Sequence, residues 1–309
     1  QGHEVKGLEK SRGPGGRMST RREGELRFDH GAQYFTARDP RFLRHVVAWR
    51  ERGLVAEWTG RVLERGAETR FVCVPGMSAV CSDIAARLPD CRFGWEVVDA
   101  AHSDTGWSLR SSSGGTLHAD ALLIAIPPEQ AAALLDDAEV ASQLEGVEMM
   151  PCWTVMAVFD RPLLPDHDAA FVNDGPLSWI AGQDSRPGRE TAQAWVLHAG
   201  PEWSLANLEL TPEAAGEAVL EAAMRLPVAQ TVRATSLWVH RWRYARAREP
   251  LELGALWFAD RRLAVAGDWC HGSRVEGAFL SGAAAAGRIL ASSAPAGVAG
   301  GSPTGDNRT

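Results

Sequence analysis

Phe42, Val46 and Trp49 recur at helical spacing between Arg41 and Arg52, which predicts a helix with one apolar face. A second helix is predicted from Ser78, as its cap, to Leu88, after a Pro75-Gly76 turn. Further helices are read at Gln130–Leu135, Pro212–Leu226 and Val275–Leu290. Strand patterns lie between them. His3–Glu9 reads as a short strand weakened by Gly7, Thr69–Val74 as another, and Phe93–Leu117 as a β-meander turning at Ser-Gly-Gly. Ala121–Ile126 and Leu263–Ala266 are wholly apolar, as expected of buried parallel strands, and Pro127-Pro128 stops the first. Trp153–Phe159, Ala194–His198 and Ser236–Trp242 suggest a mostly antiparallel second unit. Ser11–Arg17 is a Gly-rich loop, and Phe28–Thr36 is turn-like around Gly31. From Ser292 onward the chain is rich in Gly, Ser and Pro and is expected to be disordered.

This order predicts an α/β protein with a second, mostly antiparallel domain, consistent with 309 residues at about 100–200 per domain. Apolar residues make up 45% of the chain, yet no run approaches the roughly 18 residues of a membrane span, so no membrane is expected. A net charge of −7 argues against nucleic acid as a partner. The charge is uneven: residues 1–70 carry +5 and the remainder −12, so a basic stretch lies beside the Gly-rich loop. Lys6 and Lys10 are the only lysines, which leaves few candidates for lysine-dependent chemistry. Five cysteines without Cys-x-x-Cys argue against a disulfide scaffold and fit a reducing cytoplasm. No zinc spacing, nucleophile elbow or Walker loop occurs, so no metal is expected and the common hydrolase signals are absent.

The chemistry concentrates at the two ends. Glu9 closes the first strand, where a carboxylate can accept both hydroxyls of an adenosine ribose. Behind it, Gly13, Gly15 and Gly16 permit close backbone approach to a diphosphate, and Arg17 supplies counter-charge. Near the other end, Gly267-Asp268 terminates a buried strand, and Val275-Glu-Gly-Ala-Phe-Leu-Ser-Gly282 opens a helix. A carboxylate there suits a flavin's ribityl chain, and a helix N-terminus suits the ring's pyrimidine end, where reduction builds negative charge. Each half alone also describes an ordinary strand–turn–helix.

The combination resembles the flavin-dependent amine-oxidase superfamily, and within it bacterial renalases. The resemblance is carried by Glu9–Arg22, Phe28–Thr36, Pro75-Gly-Met-Ser-Ala79, Ile126-Pro-Pro, Cys152-Trp153, Leu177-Ser-Trp-Ile180, His240–Ala245 and Gly267–Gly282. It implies a Rossmann-like FAD-binding domain over residues 1–34, 72–130 and 255–291, interleaved with a substrate domain on an antiparallel sheet over 35–71 and 131–254. Proteins of this kind open with a strand and Gly-x-Gly-x-x-Gly about 20 residues before the ribose-binding acid. Only eight residues precede Glu9, so that segment is expected to lie outside this chain. The resemblance implies noncovalent FAD, held by Glu9, Lys10, Gly15, Gly16, Arg17, Gln33, Tyr34, Gly267, Asp268, Glu276, Gly277, Ala278 and Ser281. His240 and Trp179 then become substrate-pocket residues, although a structural histidine and a core tryptophan are the plain alternatives. The implied reaction is oxidation of isomeric dihydronicotinamide dinucleotides, with dioxygen as electron acceptor and NAD(P)⁺ and hydrogen peroxide as products. Amine oxidation is the rival activity. It is disfavoured because many amine oxidases of this superfamily place a lysine near flavin N5, while Lys6 and Lys10 sit on the adenosine side. A flavin-free binding module is the third reading. The sequence sets no oligomeric state.

Overall fold

The computed structural model describes residues 3–63, 68–189, 193–227, 229 and 231–293. In chain order, β1 (Lys6–Glu9) leads into the Gly-rich loop and a single 3₁₀ turn, Gly16–Met18. The hairpin β2 (Thr20–Glu23) and β3 (Leu26–Asp29) follows. The turn-like reading of Phe28–Thr36 therefore needs correction: Phe28 and Asp29 end a strand. Gly24, at φ +59°, permits the two-residue reversal that makes the hairpin. Helix α1 (Pro40–Glu51) buries Phe42, Val46 and Trp49, as its spacing predicts, and the Asp39 side chain caps it by accepting from Arg41 N. Short strands β4 (Val55–Glu57), β5 (Val62–Leu63) and β6 (Phe71–Cys73) lead to α2 (Ala79–Ala86). Ser78 does not cap α2. It is itself in the α conformation, and its hydroxyl turns to Thr20 Oγ1, 3.4 Å away.

β7 (Asp90–Phe93) pairs in parallel with β1, so Phe93 belongs there and not to the meander. The meander is β8 (Val97–Ser103), β9 (Gly106–Ser111) and β10 (Thr116–Ala119). β11 (Leu122–Ile124) follows, and then α3 (Pro128–Leu135) and α4 (Ala138–Leu144). Pro128 opens α3 and does not merely stop the strand, since a proline at the first helical position loses no helical bond. Of β11 only Ile124 is buried. Leu123 is 37% exposed: it points to the face opposite Ile124, and among the described residues β11 also forms a sheet edge.

The second unit is a six-stranded sheet built from β5 with β12 (Met149–Phe159), β13 (Ala169–Asp174), β14 (Leu177–Gly182), β15 (Ala194–Ala199) and β16 (Ala234–Ala247). Its order is β16-β12-β15-β14-β13-β5, antiparallel except for the β13–β5 pair. Between β15 and β16 run α5 (Pro201–Ala206) and α6 (Pro212–Met224). The chain closes with β17 (Leu256–Phe258), β18 (Leu263–Val265) and α7 (Val275–Ser292). β18 pairs in parallel with β11. Residues 294–309, most of the expected disordered tail, lie outside the described residues. Among the described residues no helix is long and apolar enough to cross a membrane.

Strand periodicity decides which way this sheet looks. Trp153, Val155 and Ala157 of β12, with Trp195 and Leu197 of β15, pack against Ala215, Val219 and Ala223 of α6. The alternate residues Met156, Val196 and Trp238 face Phe28. One face is thus closed by a helix, and the other meets the chain just after the Gly-rich loop.

Candidate functional site

The two ends of the sequence meet at one ion pair. Arg17 donates from Nη1 to Asp268 Oδ2 (3.0 Å) and from Nη2 to Oδ1 (2.6 Å), and Nη1 also reaches the Ala245 carbonyl (3.1 Å). Asp268 is 6% exposed. Glycine geometry delivers Arg17 to this place. Gly15 and Gly16 adopt φ +126° and +50°, which folds the loop into its 3₁₀ turn. Gly31 then lies so close that a β-carbon on it would sit 2.0 Å from the Arg17 carbonyl oxygen, the same oxygen that accepts from Ala32 N at 2.8 Å. Gly277 plays the equivalent part at the other end: a β-carbon there would be 1.7 Å from the His271 carbonyl oxygen. That contact seats the first turn of α7 on the Asp268–His271 turn. Ser281 Oγ accepts from Gly267 N at 3.0 Å and fixes the same junction.

The remaining predicted cofactor residues divide. Glu9 is partly buried, and its carboxylate accepts from Ser11 N (2.7 Å), which shapes the start of the loop. Lys10 is exposed beside it, and Ala278 is exposed on the first turn of α7. No side chain caps that helix. Glu276 turns away from the loop: its Oε1 accepts from Arg38 N and Asp39 N, both at 2.7 Å, and ties α7 to the start of α1. Gln33 turns inward. Its amide donates to the Asp29 carbonyl and accepts from Arg186 and Gln183.

The two predicted pocket residues lie in one row across the sheet. His240 of β16 is in register with Thr154 of β12, Thr154 with His198 of β15, and His198 with Trp179 of β14. Directly paired residues share a face, here the one turned toward Phe28–Tyr34. His30 lies over this row. Its carbonyl accepts from Trp242 Nε1 (2.9 Å), and His198 Nε2 lies 3.2 Å from the same oxygen, a bond that needs the ring proton on Nε2. The His30 ring is 5.0 Å from those of both His240 and Trp242. Burial pushes His30 and His198 down to about 4, and it lowers His240 as well, with Arg21 adding repulsion at His30 and His240. All three imidazoles are therefore neutral at pH 7. At the other end of the row, Trp179 packs against Tyr34, Trp58 and Phe171. Trp179 Nε1 and His30 Nδ1 are buried without a hydrogen-bond partner.

Sequence reading missed His30, His198 and Trp58. For His198 the signal was present: it continues the alternation of Ala194 and Val196, so it shares their face.

The arrangement is that of a dinucleotide-binding α/β protein with an aromatic platform beside it. Residues 1–48 match the NAD(P)-binding Rossmann-like domain, and residues 53–290 match the flavin containing amine oxidoreductases. The second match spans most of the chain, and the protein belongs to the flavin containing amine oxidoreductase family. Among solved structures it is similar to a putative protoporphyrinogen oxidase from Exiguobacterium sp. 255-15, with a TM-score of 0.59 and 17% identity over 74% of this chain and 54% of that one. The chain thus spans about half the length of that structure, and the likeness is one of fold. The family's cofactor is FAD, and the residues present suit it. A β-carbon on Gly13 or Gly16 would meet nothing within 4 Å, so the loop backbone is open to close approach. Glu9 has a carboxylate that could accept from a ribose, the start of α7 has no side-chain cap where the electron-rich end of the ring could lie, and Arg17, its Nη atoms on Asp268, joins the two ends.

Proposed function

We propose that the chain is an FAD-dependent oxidase of isomeric dihydronicotinamide dinucleotides, in which the transferable hydride sits on a ring carbon other than the usual one. The observation that carries this reading is the row His240–Thr154–His198–Trp179, three aromatic rings and one hydroxyl without a charge among them, with histidines that are poor bases at neutral pH. A dihydronicotinamide suits such a surface. Its C–H bond breaks with the electron pair leaving as hydride, and the aromatic pyridinium that remains drives the step without removal of a proton. A protonated amine must first lose a proton, and the two lysines stand elsewhere: Lys6 pairs with Glu4 in β1, and Lys10 is exposed. Bound FAD would supply the two-electron acceptor for that hydride and the route by which the electrons reach dioxygen, the hydride and one further proton then balancing dioxygen to hydrogen peroxide. The chain's part is to hold and to exclude. Trp179 and His240 wall the substrate ring, and Trp179 Nε1 and His30 Nδ1 offer hydrogen bonds to its carboxamide. Glu9, Arg17 and Asp268 secure the cofactor. In this reading residues 1–34, 72–130 and 255–291 bind FAD, while 35–71 and 131–254 form the substrate side.

Anaerobic mixing of flavin-loaded protein with each substrate class tests the proposal. Dihydronicotinamide isomers are expected to bleach the flavin within seconds, and primary and secondary amines to leave it oxidised. Bleaching by amines alone would overturn the reading in favour of amine oxidation, and a purified chain without flavin absorbance would leave only a binding role.

A further inference from the structure

Behind the row lies a charge cluster that this reaction does not use. Asp29, at the end of β3, is fully buried. Its Oδ1 accepts from Thr20 Oγ1 (2.6 Å) and Met77 N (3.0 Å), and its Oδ2 from Arg186 Nη1 (3.2 Å) and Arg189 Nη2. The side chains of Arg186 and Arg189 are 1% and 5% exposed. Among the described residues, two guanidiniums therefore share one carboxylate, and the triad holds one surplus positive charge largely away from water. Their other hydrogen bonds go to neutral acceptors: the carbonyls of Gln33, Arg27 and Pro75 and the amide oxygens of Gln33 and Gln183.

Taking charge out of water is costly even when it is paired. Each guanidinium ties down segments the other does not reach, Arg186 at Gln33 and Arg189 at Arg27, Pro75 and Gln183, and together they leave a net charge at a defined place. Asp29 holds Thr20, just beyond the Arg17 turn, and Arg186 holds Gln33, one residue beyond the Ala32 N–H that binds the Arg17 carbonyl. Arg186 also stacks 5.3 Å over Trp58, whose ring borders Trp179. The surplus charge is thus mounted between the cofactor loop and the aromatic end of the row. In a poorly screened interior its field extends well beyond direct contact.

We propose that the Asp29–Arg186–Arg189 triad tunes the flavin electrostatically: its surplus positive charge favours the reduced ring and raises the cofactor's reduction potential. Taking up two electrons and one proton leaves the ring one unit more negative, which is the change a fixed cation rewards. The inference rests on family membership and its cofactor, and is independent of which substrate delivers the electrons.

A ladder of charge states tests it. The triad carries +1 in the wild type, 0 in Arg189→Gln, +2 in Asp29→Asn and +1 again in both the double variant Asp29→Asn/Arg189→Gln and in Arg189→Lys. Midpoint potentials are read by equilibrium reduction against a reference dye, with thermal unfolding and FAD dissociation constants as controls. The potential is expected to fall in Arg189→Gln by about tenfold in the reduction equilibrium, about 30 mV for a two-electron couple. It is expected to rise in Asp29→Asn and to return to the wild-type value in the double variant and in Arg189→Lys. A purely structural triad predicts loss of stability and FAD affinity without opposite-signed shifts. Should Asp29→Asn not fold, Arg189→Gln against Arg189→Lys decides alone. A wild-type potential in FAD-loaded Arg189→Gln overturns the proposal, as does a wild-type chain that retains no FAD.

Discussion

Acidification from pH 7.5 to pH 5 is expected to weaken the fold through its buried histidines, His30 above all. His30 is 7% exposed. Burial first, and then the neighbouring His240, His198 and Arg21, push it from the ordinary 6.5 down to about 4. Between those two values the unfolded chain binds a proton that the folded chain refuses. Stability from this group is therefore complete above about pH 6.5 and is lost as pH falls toward 4. At about 1.4 kcal/mol per pH unit the full loss is about 3 kcal/mol, of which about 2 kcal/mol has gone by pH 5. His198, pushed down to about 4, acts in the same direction over the same window. Urea unfolding followed by tryptophan fluorescence at the two pH values measures the change. His30→Asn removes the titrating group, so its stability should fall less between pH 7.5 and 5 than that of the wild type, by about 2 kcal/mol. Equal losses in the two proteins would show that His30 is not held neutral by its surroundings, and the account of the site would fail there.

Gly31→Ala should destabilise the chain by about 1–3 kcal/mol and weaken FAD binding, because its β-carbon would strike the Arg17 carbonyl oxygen. An unchanged melting temperature would refute that close approach. Glu9→Ala should raise the FAD dissociation constant about tenfold, from loss of a charge-assisted bond worth roughly 1.5–3 kcal/mol, with substrate preference kept. Unchanged affinity by flavin fluorescence would contradict the ribose assignment. His240→Ala should slow flavin reduction by roughly 10–1,000-fold if the ring positions substrate, with FAD still bound. Because burial lowers His240 from its ordinary 6.5, stopped-flow reduction should be nearly flat from about pH 7 to 9. A bell-shaped profile abolished by His240→Ala would instead assign it proton transfer.

What could be read from the sequence is what depends on neighbours along the chain. The apolar stripe of α1, the meander with its Gly turn and the long helix α7 all follow from local periodicity, and they form where the pattern places them. The β2–β3 hairpin escaped because its strands carry Arg21, Arg22, Glu23 and Arg27, which disguise alternation as a polar loop. The wholly apolar run of β11 suggested burial on both sides, yet side-chain exposure is set by what packs on each face, and only Ile124 is buried. The site shows the same division. Glycine-rich loops and a strand-ending Asp268 are local signals, whereas the pairing of Arg17 with Asp268, 251 residues apart, is a tertiary fact. Arg186 and Arg189 lie in a Gly/Pro-containing loop, and nothing in their spacing announces that they converge on Asp29.

The one-sided pairing of β11 has a consequence for the behaviour of this protein in concentrated solution. β1 and β11 each end a sheet, so each presents a row of main-chain donors and acceptors with no strand beside it among the described residues. Such rows are templates on which another extended segment can polymerise. β1 carries a deterrent at either end, in Lys6 and Glu9, whereas β11 is Leu122-Leu123-Ile124 and carries none. Self-association at high concentration by strand addition is therefore expected at β11 and equally at β17, Leu256-Trp257-Phe258, which ends the same sheet without a charge. A charge at Leu123, the exposed middle position of β11, would close one of these two edges.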